Sequence, residues 1–79
     1  MNMDPGTWSA RVAAVVRAEV MSRPVTVADL ARVLGVGQAT AAARLRGEAP
    51  FDLVEIERVA AWLALSPSEL LARADERAP

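Results

Sequence analysis

Apolar residues recur every three or four positions in five separate stretches of the chain, and each stretch is bounded by residues that start or stop helices. In the first, Trp8, Val12, Val16 and Val20 follow at intervals of four, which puts them on one helical face. That helix opens at Asp4-Pro5 or at Thr7, runs to about Met21 and is closed off by Pro24. Thr26-Val27-Ala28-Asp29 has the form of a capping box with Asp in the Glu position. It predicts a second helix, Val27 to Leu34, that buries Val27, Leu30, Ala31 and Leu34. Gly35 then supplies a residue that enters the left-handed region without a Cβ penalty. A third helix, short and rich in Ala, begins near Gly37 or Gln38 and ends at Arg46, with Gly47 in the same closing role. Asp52-Leu53-Val54-Glu55 opens a fourth, to about Leu63, with Leu53, Ile56, Val59, Ala60 and Leu63 as its buried stripe. Phe51 stands just before the cap, placed for a hydrophobic staple on Ile56 or its neighbour. Ser66-Pro67-Ser68-Glu69 combines an N-cap, a first-turn Pro and a Glu at the third position, so a last helix carries Leu70 and Leu71 into the core. The polar stretch 74–79 is expected to fray. No segment alternates with period two, so the fold class is all-α, a compact five-helix bundle forming one domain over residues 1–79.

Composition narrows the chemistry. The chain has no Cys and no His, which leaves no disulfide, no Cys/His zinc site, no thiol nucleophile and no imidazole base. Acidic neighbours such as Glu55 and Glu57, or Asp75 and Glu76, have no nucleophile or phosphate-binding loop beside them and read as solvated helix charges. No catalytic residue, metal ligand or cofactor is therefore expected, and the protein is not expected to be an enzyme. No apolar run approaches the roughly 18 residues of a membrane span, and the first residues lack the charge and apolar core of a leader, so a cytoplasmic protein without membrane contact is expected.

The net charge of −1 argues against a nucleic-acid partner, but its distribution does not. Residues 9–46 carry six Arg against Glu19 and Asp29, a local charge of +4, whereas residues from Gly47 onward sum to −4. A basic half of this kind can present a positive face to phosphates. All nine basic residues are Arg.

That basic half contains two short helices joined by a tight turn, at about residues 27–46. Ala31 allows close crossing, Gly35 makes the turn, Val36 fills the space beneath it and Ala41 lies against the first of the two helices. These choices at these offsets specify a helix-turn-helix. At 100° per residue, Gln38, Ala39, Ala42, Ala43 and Arg46 share the side opposite Ala41 and Leu45.

The pattern resembles the Cro and lambda-repressor class of helix-turn-helix domains, the XRE-like family, over roughly residues 16–71. Arg44-Leu45-Arg46-Gly47-Glu48-Ala49-Pro50-Phe51, Glu57-Arg58-Val59-Ala60 and Leu65-Ser66-Pro67-Ser68-Glu69-Leu70-Leu71 are similar to small repressor-like proteins of actinobacteria and their phages. The resemblance implies a regulator of transcription whose third helix enters the major groove of an operator. It places Gln38, Ala39, Ala42 and Ala43 against bases, and Thr26, Val27, Gly37, Thr40, Arg44 and Arg46 against the sugar-phosphate backbone, with Arg46 also within reach of bases. Because one such helix with a single good polar base reader supplies little specificity, a two-fold homodimer is expected, through the fourth and fifth helices near Trp62 and Leu71, which leaves the basic face free. Two positions depart from the family pattern. Val27 stands where a polar Gln is frequent, and Arg44 stands where a buried Ile is usual, so that Leu45 takes over the packing and Arg44 moves to the flank, free to reach a phosphate. The competing reading is an interaction module, such as an antitoxin or assembly factor, that kept the fold and lost affinity for DNA.

Overall fold

Each helix of the protein starts where a side chain can take up the orphan amides of a first turn, with one exception. The computed structural model describes residues 7–76, which form α1 (Trp8–Met21), α2 (Val27–Leu34), α3 (Gln38–Arg46), α4 (Leu53–Trp62) and α5 (Pro67–Glu76). Thr7 Oγ1 accepts the amide of Ala10 at 3.1 Å, so of the two starts expected for α1 Thr7 is the cap; Asp4-Pro5 lies outside the described residues. Reciprocal capping boxes open α2 (Thr26 with Asp29), α4 (Asp52 with Glu55) and α5 (Ser66 with Glu69). The exception is α3, whose N-cap is Gly37.

Three helices close in the same way. After α2 the amide of Val36 reaches the carbonyl of Ala31 and Gly35 reaches Arg32; after α3 Glu48 reaches Ala43 and Gly47 reaches Arg44; after α4 Leu65 reaches Ala60 and Ala64 reaches Ala61. All three are Schellman motifs, which need a left-handed residue at the first position past the helix. Gly35 (φ 72°) and Gly47 (φ 76°) serve two of them, but Ala64 holds φ 60° with a Cβ attached. Since an L-residue in that region is disfavoured by about 1–2 kcal/mol, Ala64→Gly is expected to raise stability by about 1 kcal/mol, less the backbone entropy that glycine adds to the unfolded chain. A higher urea midpoint at unchanged slope would show it.

The helices close around one core. α1 lies against α5 and α3, α2 against α3 and α4, and α4 against α5. Val16 of α1, Leu30 of α2, Ala41 of α3, Val59 of α4 and Leu70 of α5 are each wholly buried. Of the residues expected in the core, Leu53 is 79% exposed, and Val27 and Leu71 are half-buried and pack against the core from its edge. Leu53 and Val27 are the first residues of their helices, as is Trp8, which is 45% exposed. Trp8 and Leu53 line a shallow apolar depression together with Phe51, Ile56 and Leu71, which brings the two residues of the expected staple, Phe51 and Ile56, to one place. The C-terminal expectation also changes: α5 is helical to Glu76, with Ala74 fully buried, so residues 74–76 belong to the helix; residues 77–79 lie outside the described residues. No described helix is long and apolar enough to cross a membrane.

Candidate nucleic-acid interface

The sharp turn between α2 and α3 sets the geometry of the exposed face. Gly35 turns the chain at positive φ, Val36 packs half-buried against the core, and the small buried side chains of Ala31 and Ala41 leave the two helices room to pack together. A Cβ at Gly35 would stand 3.4 Å from Nη1 of Arg58, which donates to the Leu34 carbonyl at 3.3 Å and closes the end of α2. The turn therefore favours a glycine for its dihedral, while the guanidinium beside it stands at ordinary contact distance.

Ala41 and Leu45 face inward and fix the rotation of α3. Gln38, Ala39 and Arg46 are then exposed, and Thr40, Ala42 and Ala43 are half-buried along the same helix. The exposed side is low and lined by methyl groups, with one long polar side chain at each end. Gln38 and Arg46, eight residues apart, are separated by about 12 Å along the axis. At the start of the helix nothing lies within 4 Å of where a Cβ at Gly37 would be, and no side chain caps the first turn of α3.

The start of α2 is differently arranged. Thr26 Oγ1 accepts the Asp29 amide at 3.2 Å, while Asp29 Oδ2 accepts the Thr26 amide at 2.8 Å and its hydroxyl at 3.1 Å. Asp29 also pairs with Arg32. The groups of Thr26 assigned to a phosphate by resemblance thus already hold a carboxylate, leaving Val27 at the head of the helix. The backbone amide of Thr26, then its hydroxyl, hold the Asp29 carboxyl below its ordinary value of 3.8, and Ser66 does the same to Glu69, ordinarily 4.5. A carboxyl whose pKa is lowered on folding binds protons more readily in the unfolded chain, so its contribution is present above the ordinary value and is lost as pH falls through the lowered one. Stability is expected to decline as pH drops from about 5 toward 3, and less steeply in Thr26→Ala/Ser66→Ala; urea midpoints at both ends of that window measure the difference.

Arg44 is not free on the flank of α3. Its Nε and Nη2 donate to the two carboxylate oxygens of Glu55 at 3.0 and 3.4 Å, and Glu55 Oε1 also accepts the Asp52 amide at 2.9 Å. Glu55 is only 5% exposed, against the expectation of a solvated helix charge. A capping-box Glu can be buried when a cation from another helix neutralises it, as Arg44 of α3 does here. The sequence carried both halves of this pair, but nothing local joins residues eleven apart across a loop.

The other arginines are similarly engaged. Arg17 donates to the Leu45 carbonyl at the end of α3, Arg23 to Leu63 at the end of α4, Arg58 to Leu34 at the end of α2 and Arg11 to Ala74 in the last turn of α5. Each brings positive charge to the negative end of a helix dipole. Arg11 also lies over the Trp8 ring at 5.3 Å. Arg73 pairs with Glu19, and Arg46 with Glu48, whose carboxyl is held below its usual range chiefly by that hydrogen bond. The +4 of the first half is therefore largely structural. Of the basic residues named as DNA contacts, Arg46 stands outermost, on the exposed side of α3.

Comparison with curated proteins and with solved structures finds no match. The BetR domain family matches residues 7–79, from the cap of α1 through the end of the chain. With a tight-turn helix pair at its centre, an exposed second helix and that match over nearly its whole length, the chain belongs to the BetR domain family, a helix-turn-helix-like family of DNA-binding regulatory domains.

Proposed function

We propose that the protein is a sequence-specific transcriptional regulator that lays α3 in the major groove of an operator and blocks transcription there, in the manner of a Cro-like or phage repressor. The observation that carries this reading is the outer side of α3: methyl-lined, unobstructed at Gly37, and flanked by Gln38 and Arg46. Alanines let a helix approach base edges closely and offer apolar contact to thymine methyl groups, while Gln can pair with adenine N6 and N7. Gln38, Ala39, Ala42 and Ala43 are the proposed base contacts, and the α3 amides after Gly37, with Thr40, the proposed phosphate contacts. Arg44 contributes by holding α3 in place, and the start of α2 contributes little. The reading involves no catalysis.

So few polar readers give limited discrimination per half-site, which favours a two-fold homodimer on a pseudo-palindrome. Its surface is placed at α4 and α5, where Leu53 and Val54 are exposed beside Leu71 and Trp62 is half-buried.

Selection from a pool of random duplexes, followed by affinity measurements across a salt series, tests the reading. Log affinity is expected to fall with log salt with a slope of about −0.9 per phosphate contacted. Gly37→Asp is expected to keep or slightly raise stability by capping α3, yet to lose most DNA affinity, because its carboxylate occupies the place proposed for a phosphate. Wild-type affinity in Gly37→Asp would remove α3 from the interface. A folded protein that selects no duplex would favour the interaction-module reading.

A further inference from the structure

Arg46 is held in a particular way. Glu48, two residues on and just past the Gly47 turn, takes Nε at 2.5 Å and Nη2 at 3.1 Å with its two carboxylate oxygens. That pairing uses the side edge of the guanidinium. The end edge, where Nη1 and Nη2 present two parallel N–H groups, donates no hydrogen bond to the described residues, and the side chains of Arg46 and Glu48 are 56% and 44% exposed. A loose surface arginine samples many rotamers; one gripped on its side edge keeps its end edge in one plane and loses less entropy when that edge is used. Two parallel donors at fixed spacing match the O6 and N7 acceptors of guanine.

We infer that Glu48 is a positioning residue that holds Arg46 as a guanine reader at the far end of α3. The inference rests on the proposed placement of α3 in the major groove. It gives the helix its second hydrogen-bonding specificity: the side chains between Gln38 and Arg46 on the exposed side are alanines, which cannot tell guanine from adenine by hydrogen bonding, and Arg46 is the last residue of the helix, on the same side as Ala39 and Ala43. With about 12 Å between the two readers and about 3.4 Å per base pair, the guanine lies three or four pairs from the base pair read by Gln38. Glu48 also keeps a negative charge beside the groove, so that Arg46 is not simply a phosphate anchor. Its carboxylate opposes any backbone contact and is tolerated where the arginine meets a base.

Sites are selected from randomised duplexes by the wild type, Arg46→Ala, Arg46→Lys, Glu48→Ala and Glu48→Gln, and affinities are measured on the selected duplex and on one with that guanine replaced. The wild type is expected to prefer guanine at one position per half-site by at least tenfold. Arg46→Ala abolishes the preference and Arg46→Lys weakens it, since an ammonium has no second planar edge for Glu48 to hold while it meets the base. Glu48→Ala and Glu48→Gln cut it several-fold while raising affinity for unrelated duplexes, and combining Glu48→Ala with Arg46→Ala reduces the preference no further. A purely structural Glu48 would leave the ratio between the two duplexes unchanged and overturn the inference. So would Arg46→Ala lowering affinity for every duplex equally, with a shallower salt slope and an unchanged base preference, which makes Arg46 a phosphate contact. Failure of the wild type to select any duplex would instead remove the DNA-binding placement on which the inference stands.

Discussion

Arg44→Ala is expected to lower the unfolding free energy by about 2–3 kcal/mol, more than any other substitution of a charged residue in this protein. The reason is what remains behind. Glu55 is buried under the core at the start of α4, and without Arg44 its carboxylate keeps only the Asp52 amide as a partner among the contacts described. Fully buried pairs cost about 3–5 kcal/mol to break from one side, and because the Arg44 side chain is partly exposed, water can follow into the gap and offset some of that. Glu55→Gln is the informative companion: its amide oxygen can still accept the Asp52 N–H, and no unpaired anion is left, so it should cost less than Arg44→Ala. In Arg44→Ala/Glu55→Gln the loss should be smaller than the sum of the single losses. Urea midpoints of the four proteins measure the coupling. Equal midpoints for Arg44→Ala and the wild type would mean that the pair carries no net stability.

Leu30→Ala should be the more damaging change, at about 3–4 kcal/mol. Leu30 is wholly buried in the middle of α2, and α2 packs on both α3 and α4. Removing three carbons there loses their transfer from water and leaves a cavity that two helix interfaces must share. In a domain of this size that is a large part of the whole stability. Thermal unfolding would show a midpoint lower by well over ten degrees, with about 4–8 °C expected per kcal/mol. A loss below 1 kcal/mol would mean that α2 collapses onto its neighbours more freely than a closely packed helix-turn-helix allows. DNA binding should fail along with folding and return at temperatures where the variant is native, in contrast to Gly37→Asp, which should fail while folded.

Helix boundaries were legible because they are written in local chemistry. Thr26 and Asp29, Asp52 and Glu55, and Ser66 and Glu69 each lie three residues apart, and the carboxylate and amide contacts they form need nothing beyond their own turn. Gly35 and Gly47 marked helix ends for the same reason. Ala64 closes a helix by the same hydrogen bonds without the residue that would announce it, so tertiary packing pays there for a conformation its own side chain disfavours. Burial was legible by angle and not by height. Val27 and Leu53 have the right phase on their helices, but each is a first residue, and periodicity does not say how far along the axis the neighbours extend. The candidate DNA surface was legible as a face, since Ala41 and Leu45 determine its rotation. The allocation of charge was not: whether Arg44 meets phosphate or Glu55, and whether Arg17 is free or bound to the end of α3, depends on pairs far apart in sequence.

The arginine contacts to helix ends give the molecule a particular manner of opening. Arg11 and Arg17 belong to α1 and Arg23 lies just beyond it, and they reach carbonyls at the ends of α5, α3 and α4. Helix termini ordinarily exchange their amide hydrogens by fraying, each independently of the rest. Here the ends of three helices each hold a guanidinium carried by α1 or by the residue two past it, so that detachment of the first helix would loosen all three ends together. The α3 terminus that carries Arg46 thus draws its order from a helix that takes no part in the proposed contact with DNA.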